Sequence, residues 1–404
     1  MSIEAAEYTP DQLMTPEVID NPYPAYHHLR ANSPCYYPYL PAGITPTLDK
    51  PVMAWALMRH EDVFRAARDH ETFSSATSPL VELGLSPRLS LLFDDPPRHS
   101  RLRKIISSAF TMRRIEELES WMTEIVSGLL ADLPAGEAEI MENLAIPLPM
   151  LVIARLLGIP QNEYRQFRKW SEAFVSTIKM PFEERRQMVG EMSGFFAKVI
   201  AERRQLAGGG DLISALTAAE VDGEALTDAE VLGICVVLLV AGNETTVNLI
   251  GAMLNILAKR PELYLALQQD RSLINTFIDE TLRYESPVQR MPRTATRDIE
   301  INGKLIRKGE PVIIFYGAAN RDPEAFENPD EFRMDRDNRS HVAFGAGIHY
   351  CMGAPLARTE ARIVLNSVLD RYASLLPGNR PSVRQSGSGT VLGFTELYIN
   401  LERA

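Results

Sequence analysis

Apolar positions recur along most of this chain with the three- to four-residue period of helices that bury one face. This pattern dominates from residue 62 to about residue 284, and a further apolar helical segment covers residues 354–369. Short runs typical of β-strands and their turns occupy residues 52–57, 299–304, 311–316 and 392–401. The pattern therefore predicts a mainly α fold with a minor β portion.

Prolines divide the helical region. Pro181 separates two predicted helices, residues 161–179 and 182–205, because proline ends a helix that precedes it. The acidic and proline-rich residues 94–97 similarly open a basic helix. Patterned sequence continues on both sides of these breaks, so we expect one domain over residues 1–404.

One predicted helix is long and apolar. Residues 227–230 have the form of a capping box, and the next strong stop is the Lys-Arg-Pro sequence at 259–261. The helix between them would be roughly 48 Å long at 1.5 Å per residue. It is apolar nearly all round through Leu239, as expected of a helix that crosses the centre of a protein.

The middle of this helix breaks the apolar pattern with the sequence Ala-Gly-Asn-Glu-Thr-Thr at residues 241–246. Glycine and adjacent threonines lower helix propensity, and a carboxylate is costly to bury. Sequences tend to break local rules where there is a site. We therefore expect a functional site here, the alternative being a kink that faces solvent.

Composition and charge limit the classes of partner. The formal net charge of −11 argues against nucleic acid or an anionic membrane as the main partner. Cys35, Cys235 and Cys351 are too few and too scattered for a disulfide framework, a zinc site or an iron–sulfur cluster. Residues 1–20 lack the apolar core of a signal peptide, and residues 231–241 are too short to span a bilayer. We therefore expect a cytoplasmic protein without a membrane anchor.

The surroundings of Cys351 carry the strongest chemical signal. Residues 344–353 read Phe-Gly-Ala-Gly-Ile-His-Tyr-Cys-Met-Gly and precede the apolar helix at 354–369. Glycines let the backbone approach a flat ligand, and amides at the start of a helix can hold a sulfur as thiolate. A lone thiolate in such a loop is how a protein ligates haem iron from one side. The alternative is a buried structural cysteine after a tight turn.

Three motifs, including that of Cys351, follow one another along the chain in an order that is informative about the family. Residues 241–246 come first, then Glu280 and Arg283 at helical i,i+3 spacing, and then the cysteine motif. In this order the motifs resemble cytochrome P450, specifically the soluble bacterial type, and the resemblance extends from about residue 21 to the end of the chain.

The resemblance implies a haem b held between the long central helix and the cysteine loop, with Cys351 as the axial ligand of the iron. Glu244 and Thr245 would form the catalytic acid–alcohol pair that delivers protons for the activation of O2. The other positions implied to contact the haem are Ala241, Gly242, Phe344, Gly345, Gly347 and Gly353 near its faces, and His99, Arg103, Arg293 and His349 near its propionates. Glu280 and Arg283 would brace the core beside the haem. Where many members place a third, arginine partner, this chain has Glu331, and we expect Arg333 or Arg336 to substitute.

The implied reaction is monooxygenation of a hydrophobic small molecule by O2. The chain has no flavin or nicotinamide fingerprint, so electrons would come from a ferredoxin and its reductase. Candidate residues for the docking face on the cysteine side are Arg101, Lys104, Arg113, Arg114 and Arg358, although a solvated helix face explains these charges equally well. A peroxide-driven enzyme and a non-catalytic haem-based sensor or binder are the alternatives.

Substrate contacts are predicted from apolar segments that the resemblance places near the distal pocket. The candidates are Leu80, Val81, Phe174, Ile178, Ala241, Val288, Met291 and Val391. Core packing would explain each of them equally well. No basic cluster in the sequence clearly serves an anionic group of the substrate.

Overall fold

The computed structural model describes residues 7–83, 89–160, 163–175, 180–206, 210–221, 223–385, 387 and 389–403. The α-helices in these ranges are α1 (Pro16–Asp20), α2 (Tyr23–Arg30), α3 (His60–Arg68), α4 (Pro79–Glu82), α5 (Arg98–Ile106), α6 (Met112–Asp132), α7 (Pro147–Leu157), α8 (Tyr164–Val175), α9 (Phe182–Gln205), α10 (Leu212–Ala218), α11 (Asp228–Lys259), α12 (Pro261–Gln269), α13 (Ile274–Tyr284), α14 (Tyr316–Ala319) and α15 (Ala354–Arg371). The strands are β1 (Cys35–Leu40), β2 (Val52–Leu57), β3 (Phe73–Ser74), β4 (Gly136–Glu139), β5 (Glu220–Val221), β6 (Glu224–Ala225), β7 (Met291–Ala295), β8 (Ile299–Ile301), β9 (Lys304–Ile306), β10 (Pro311–Ile314), β11 (Tyr372–Pro377), β12 (Val383–Arg384), β13 (Phe394–Glu396) and β14 (Tyr398–Arg403).

The strands form small sheets around a helical body. A five-stranded sheet has the order β1-β2-β10-β7-β3, in which β2 and β10 are parallel with Val312 opposite Trp55. A three-stranded sheet has the order β11-β14-β4, and β12–β13, β5–β6 and β8–β9 form pairs. Asn302 and Gly303 take positive φ values of 51° and 73° in the turn between β8 and β9. The mainly α architecture with a minor β portion is thus as predicted.

Several elements begin or end where the sequence pattern placed them, and others differ. β2, α9 and α11 have the predicted bounds. The region from 62 to 284, in which helical patterning was expected to dominate, is mainly helical but also contains β3 to β6. β3 pairs with β7 and β4 with β14, and such pairing with distant segments leaves no trace in local periodicity. The strand expected to reach Tyr316 ends at Ile314, because Tyr316 begins α14.

Helix α11 joins the two largest hydrophobic clusters. The capping box is present: the Glu230 amide donates to the Thr227 hydroxyl at 3.3 Å, and the Thr227 amide donates to the Glu230 carboxylate at 3.0 Å. Residues 231–240 pack in one cluster with α7 to α10, and residues 247–258 pack in another with α6, α13 and α15. The helix runs unbroken through 241–246, so the polar interruption is not a kink.

Residues 231–241 are too short to span a bilayer, but the whole of α11 would be able to cross a membrane by length and composition alone. However, 78% of its most apolar window is buried inside the protein. This burial identifies α11 as a core helix.

Glu280 and Arg283 form a fully buried ion pair on α13. Both side chains have 0% exposure, and the guanidinium donates to both carboxylate oxygens, from Nε at 2.7 Å and from Nη2 at 2.8 Å. Arg283 also donates to the carbonyls of Asn320, Pro329 and Glu331 at 2.8–3.1 Å. The pair therefore ties α13 to the irregular segment that precedes the cysteine loop.

The third partner of this network is Arg336. Its Nε lies 3.5 Å from a Glu280 oxygen, while Arg333 contributes only its backbone amide at 2.8 Å. The side chain of Glu331 is not needed in the network, because that residue takes part through its carbonyl. Arg336, five residues after Glu331, thus supplies the third, arginine partner that was expected near this pair.

Arg283→Met should lower the free energy of unfolding by about 3–5 kcal/mol, because it leaves the Glu280 carboxylate buried without its main partner. Urea denaturation would measure this loss. Arg113→Met is the control, because Arg113 has a side chain 89% exposed in its pair with Glu117 and should change stability by less than about 0.5 kcal/mol. Similar values for the two variants would contradict a bracing role for the buried pair.

Candidate active site

The cysteine loop runs from Phe344 to Gly353 and leads into α15. The Cys351 amide donates to the carbonyl of Phe344 at 2.9 Å, which closes the loop on itself. Gly347 has a φ of +68°, and a Cβ at this position would lie 2.8 Å from the Ala67 carbonyl oxygen, so only glycine fits against α3. The loop is therefore held in shape by a close backbone approach.

The Cys351 thiol lies among groups that favour its charged form. Burial raises the pKa of Cys351, and amide donors at Gly353 and Ala354 and the charges of Arg103 and Arg358 act in the opposite direction. Amides at a helix start and nearby cations are the surroundings in which a thiolate is stabilised. A Lewis-acidic metal would complete this charge balance on the sulfur.

Two histidines and two arginines meet beside the loop. The rings of His99, on α5, and His349 lie 4.4 Å apart between centroids. Both ring nitrogens of His99 and Nε2 of His349 are buried and have no hydrogen-bond partner within the described part of the chain. Burial lowers the pKa of His349 to about 2, and the neighbouring charges of Arg293, His99 and Arg103 act in the same direction. Unpaired ring nitrogens and buried cations are suited to receive acidic groups of a ligand.

These four residues come from three separate segments of the sequence, and the fold brings the segments together. Arg103 lies one turn after His99 on α5 and donates to the Tyr350 carbonyl at 2.6 Å. Arg293 is buried on β7 and donates to the carbonyl of Pro292 at 2.7 Å. The predicted set at one end of the cysteine loop is thus spatially coherent.

The polar interruption of α11 presents two kinds of surface. Ala241 is exposed and Thr245 is partly exposed, although the helix around them is buried. The Thr245 hydroxyl donates to the Ala241 carbonyl at 2.8 Å. Gly242 instead packs on α7, where a Cβ would lie 2.6 Å from Cδ1 of Ile153. A side chain here would have to displace the end of Ile153, so Gly242 lets α11 pack closely on α7, a role that the sequence did not reveal.

Glu244 is buried beside this surface, with 8% exposure. Burial raises the pKa of its carboxyl to about 7, and the charge of Glu172 adds to the rise. Arg168 and a hydrogen bond with Gln385 act in the opposite direction. The carboxyl is thus balanced between its neutral and charged forms near neutral pH.

Gln385, Arg168 and Glu172 were not predicted. Arg168 and Glu172 form an i,i+4 pair on α8 at 2.8 Å, a spacing that the sequence does contain. Gln385 follows β12 near the C-terminus and is buried. No local pattern connects it with Glu244, because their contact depends on how distant segments pack.

The predicted substrate residues are only partly brought together. Val288 and Val391 form an isolated antiparallel bridge, and Met291 begins β7 beside it. Val81 packs partly buried against the cluster around the first half of α11. Leu80 lies in α4 and Phe174 in α8, but their side chains fall outside the described residues, as does the whole of Ile178. Their role in substrate binding stays a prediction.

Comparison with known proteins decides the family. The cytochrome P450 family model matches residues 135–401. The chain is 40% identical over 360 residues to cytochrome P450 monooxygenase PikC of Streptomyces venezuelae, covering 88% of this chain and 85% of that protein. It is 37% identical to vitamin D(3) 25-hydroxylase of Pseudonocardia autotrophica, with 94% of each chain covered.

This chain belongs to the cytochrome P450 family. A solved structure of a mutant of P450 EryK in complex with erythromycin B superposes with a TM-score of 0.84 at 33% identity, covering 97% of this chain and 98% of that one. CYP109E1 from Bacillus megaterium in complex with corticosterone gives a TM-score of 0.80 at 33% identity, covering 95% and 99%. The P450 fold predicted from the motifs is therefore confirmed, and the protein is a P450 monooxygenase of the bacterial type.

Cys351→Ser should abolish the thiolate signature of this P450. Serine retains the size of the loop residue but removes the sulfur whose charge the amides and arginines support. The reduced carbon-monoxide difference spectrum would measure the effect, with Cys235→Ser as the control. Cys235 is buried on α11, and burial raises the pKa of its thiol to about 12, so its replacement should leave the spectrum unchanged. An unchanged thiolate band in Cys351→Ser would refute the ligand assignment.

Stability should depend on pH through Glu244. Its pKa rises from 4.5 to about 7 on folding, so its contribution is fully present below pH 4.5 and is lost as pH rises through 7. Relative to Glu244→Gln, the natural protein should lose stability on the order of 3 kcal/mol between pH 4.5 and 8. Urea unfolding of both proteins across this range would measure the difference. A difference that is constant with pH would contradict the raised pKa.

Proposed function

We propose that this P450 inserts one oxygen atom of O2 into a hydrophobic small molecule, using haem b and electrons from a ferredoxin and its reductase. The observation that carries the proposal is the acid–alcohol pair on α11. A hydroxyl on an accessible surface, that of Thr245, directly follows the buried carboxyl of Glu244, whose pKa is about 7. Oxygen insertion consumes protons, and an acid with a pKa near the working pH is suited to supply them.

The residues beside the cysteine loop fit a haem. Cys351 would be the axial ligand, and the unpaired nitrogens of His99 and His349, with Arg103 and Arg293, would bind the propionates. When bound, the thiolate-ligated haem supplies the chemistry that activates oxygen. Phe344 is partly buried in the loop and would pack near the sulfur side of the ring.

Thr245 and Glu244 would act in sequence. In the structure the Thr245 hydroxyl donates to the carbonyl one turn earlier, so its oxygen remains available as an acceptor. A proton held on the Glu244 carboxyl would pass to the exposed face of α11 through this hydroxyl or through water. Gln385 would help to orient the carboxyl through its hydrogen bond. Regeneration of the acid from solvent would follow each turnover.

A hydrophobic substrate would contact the apolar bridge of Val288 and Val391 and the accessible part of α11. Ala241 is exposed there, and Val288 and Met291 are half-buried apolar residues of the segment that leads into β7. Related P450s are named for, or solved with, vitamin D3, corticosterone and erythromycin B, which supports a substrate of this general class.

The ferredoxin would dock on the cysteine side. Lys104, Arg113 and Arg114 are exposed near the end of α5 and the start of α6. Arg101 and Arg358 are less available than the sequence suggested. Arg101 binds Glu230 at 2.8 Å, and Arg358 binds Asp279 at 2.8 Å and lies over the Phe344 ring. We accordingly place the docking surface on the exposed trio and infer that the protein acts in the cytoplasm.

Thr245→Ala should uncouple electron use from product formation, because it removes the hydroxyl through which protons would be transferred for oxygen activation. Product formed per electron should fall by about tenfold, with hydrogen peroxide released instead. The measurement uses a ferredoxin–reductase system and a substrate found by spectral titration of hydrophobic compounds.

Two variants serve as controls for this experiment. Thr245→Ser keeps the hydroxyl and should retain coupling. Thr246→Ala removes a hydroxyl that is buried on the same helix and should also retain it. Full coupling in Thr245→Ala would contradict the relay. Turnover with hydrogen peroxide but none with ferredoxin would favour a peroxygenase, and product from neither would favour a sensor.

A further inference from the structure

Arg185 is a buried guanidinium near the start of α9, with 3% exposure. It lies on the buried face of the helix, and the helical spacing places Met192, Phe196 and Ile200 on the same face. Those three residues pack against the first half of α11, whereas Phe182 packs against the cluster of the N-terminal sheet. Arg185 therefore occupies the interval between two hydrophobic clusters, where a cation is not expected.

No acidic residue in the described ranges forms an ion pair with Arg185. Among the residues that the structure describes, its Nη1 is buried without a hydrogen-bond partner, and its ring contact is with Phe182, 5.9 Å from guanidinium carbon to ring centroid. Other arginines of α9 are paired: Arg203 lies 3.0 Å from Asp211, and Arg186 lies 2.7 Å from Glu183. Arg185 thus differs from its neighbours on the same helix.

This arrangement is costly unless an anion completes it. Burying an unpaired ion costs more free energy than a single cation–π contact returns. A guanidinium presents a planar fork of donors that matches a carboxylate. Burial lowers the pKa of Arg185, and no described charge offsets that effect.

The course of α9 places Arg185 near the proposed site. Arg204, at the end of α9, binds Asp228, at the start of α11. Residues 192–200 then cover residues 231–240. Arg185 lies seven residues before Met192, or about 10 Å further along the helix axis. The start of α9 therefore extends toward the region where α11 exposes Ala241 and Thr245.

We propose that Arg185 anchors a carboxylate of the substrate. This P450 would then act on hydrophobic acids, with the acid group at α9 and the apolar body directed toward Ala241 and Thr245. The inference rests on the proposed function for its reaction, but the binding preference is measured independently of turnover.

The test compares acids with alcohols of the same shape. Decanoate and 1-decanol form one pair, and 2-naphthylacetate and 2-(2-naphthyl)ethanol form the other. Isothermal calorimetry at pH 7.5 on the haem-loaded protein gives the Kd of each, and the shift of the haem spectrum reports entry into the site. The natural protein should bind at least one acid about tenfold more tightly than its alcohol.

Three variants locate the source of this preference. Arg185→Met should reduce the ratio of alcohol Kd to acid Kd by about tenfold, mainly by weakening the acid. Arg185→Lys should retain part of the ratio, because it keeps the charge and loses the fork. Arg186→Met is the matched control and should leave the ratio unchanged, since Arg186 is exposed and paired with Glu183.

Two results would overturn the proposal: no preference for either acid in the natural protein, or a preference that survives in Arg185→Met. If Arg185→Met does not fold, the comparison of Arg185→Lys with Arg186→Met decides in the same way. A natural protein that prefers acids but lacks the thiolate signature would count against the proposed function and leave the acid anchor standing.

Discussion

Burial of α11 through the middle of the protein is the constraint on which the rest of the structure depends. Its first half completes one hydrophobic cluster and its second half completes another, so neither cluster is whole without it. The helix carries its longest run of polar residues where the two clusters meet. That position is residues 241–246, and it is there that Ala241 and Thr245 are accessible. Packing thus leaves this part of an otherwise buried helix open to a ligand.

The same burial sets the chemistry of the acid at this position. A carboxyl in an apolar core favours its neutral form, because water no longer stabilises the charge. Burial therefore raises the pKa of the Glu244 carboxyl to about 7. Glu280 is buried still more completely but has the guanidinium of Arg283 at 2.7 Å, which compensates its charge and makes it structural. Two buried glutamates thus take different roles because one has a matched cation and the other does not.

On the cysteine side, local sequence determined the geometry and distant residues determined the electrostatics. The positive φ of Gly347 and the start of α15 follow from residues 344–354, and the cysteine motif was recognisable for that reason. The His99–His349 contact and the placement of Arg293 depend on three separate segments. No local rule connects α5 with β7. Those residues could therefore be predicted only through family resemblance. Gln385 matches no motif and was missed.

The sequence by itself determined the helical class, the bounds of α9 and α11, the cysteine loop and the family, because these depend on local periodicity, caps and glycines. It could not distinguish Arg185 from Arg186. These arginines are adjacent in the sequence and share the same helix, yet one is buried without a described acid and the other is exposed and paired. Only the tertiary structure decided this, since neighbouring helix positions point about 100° apart and burial depends on which side packs against the core.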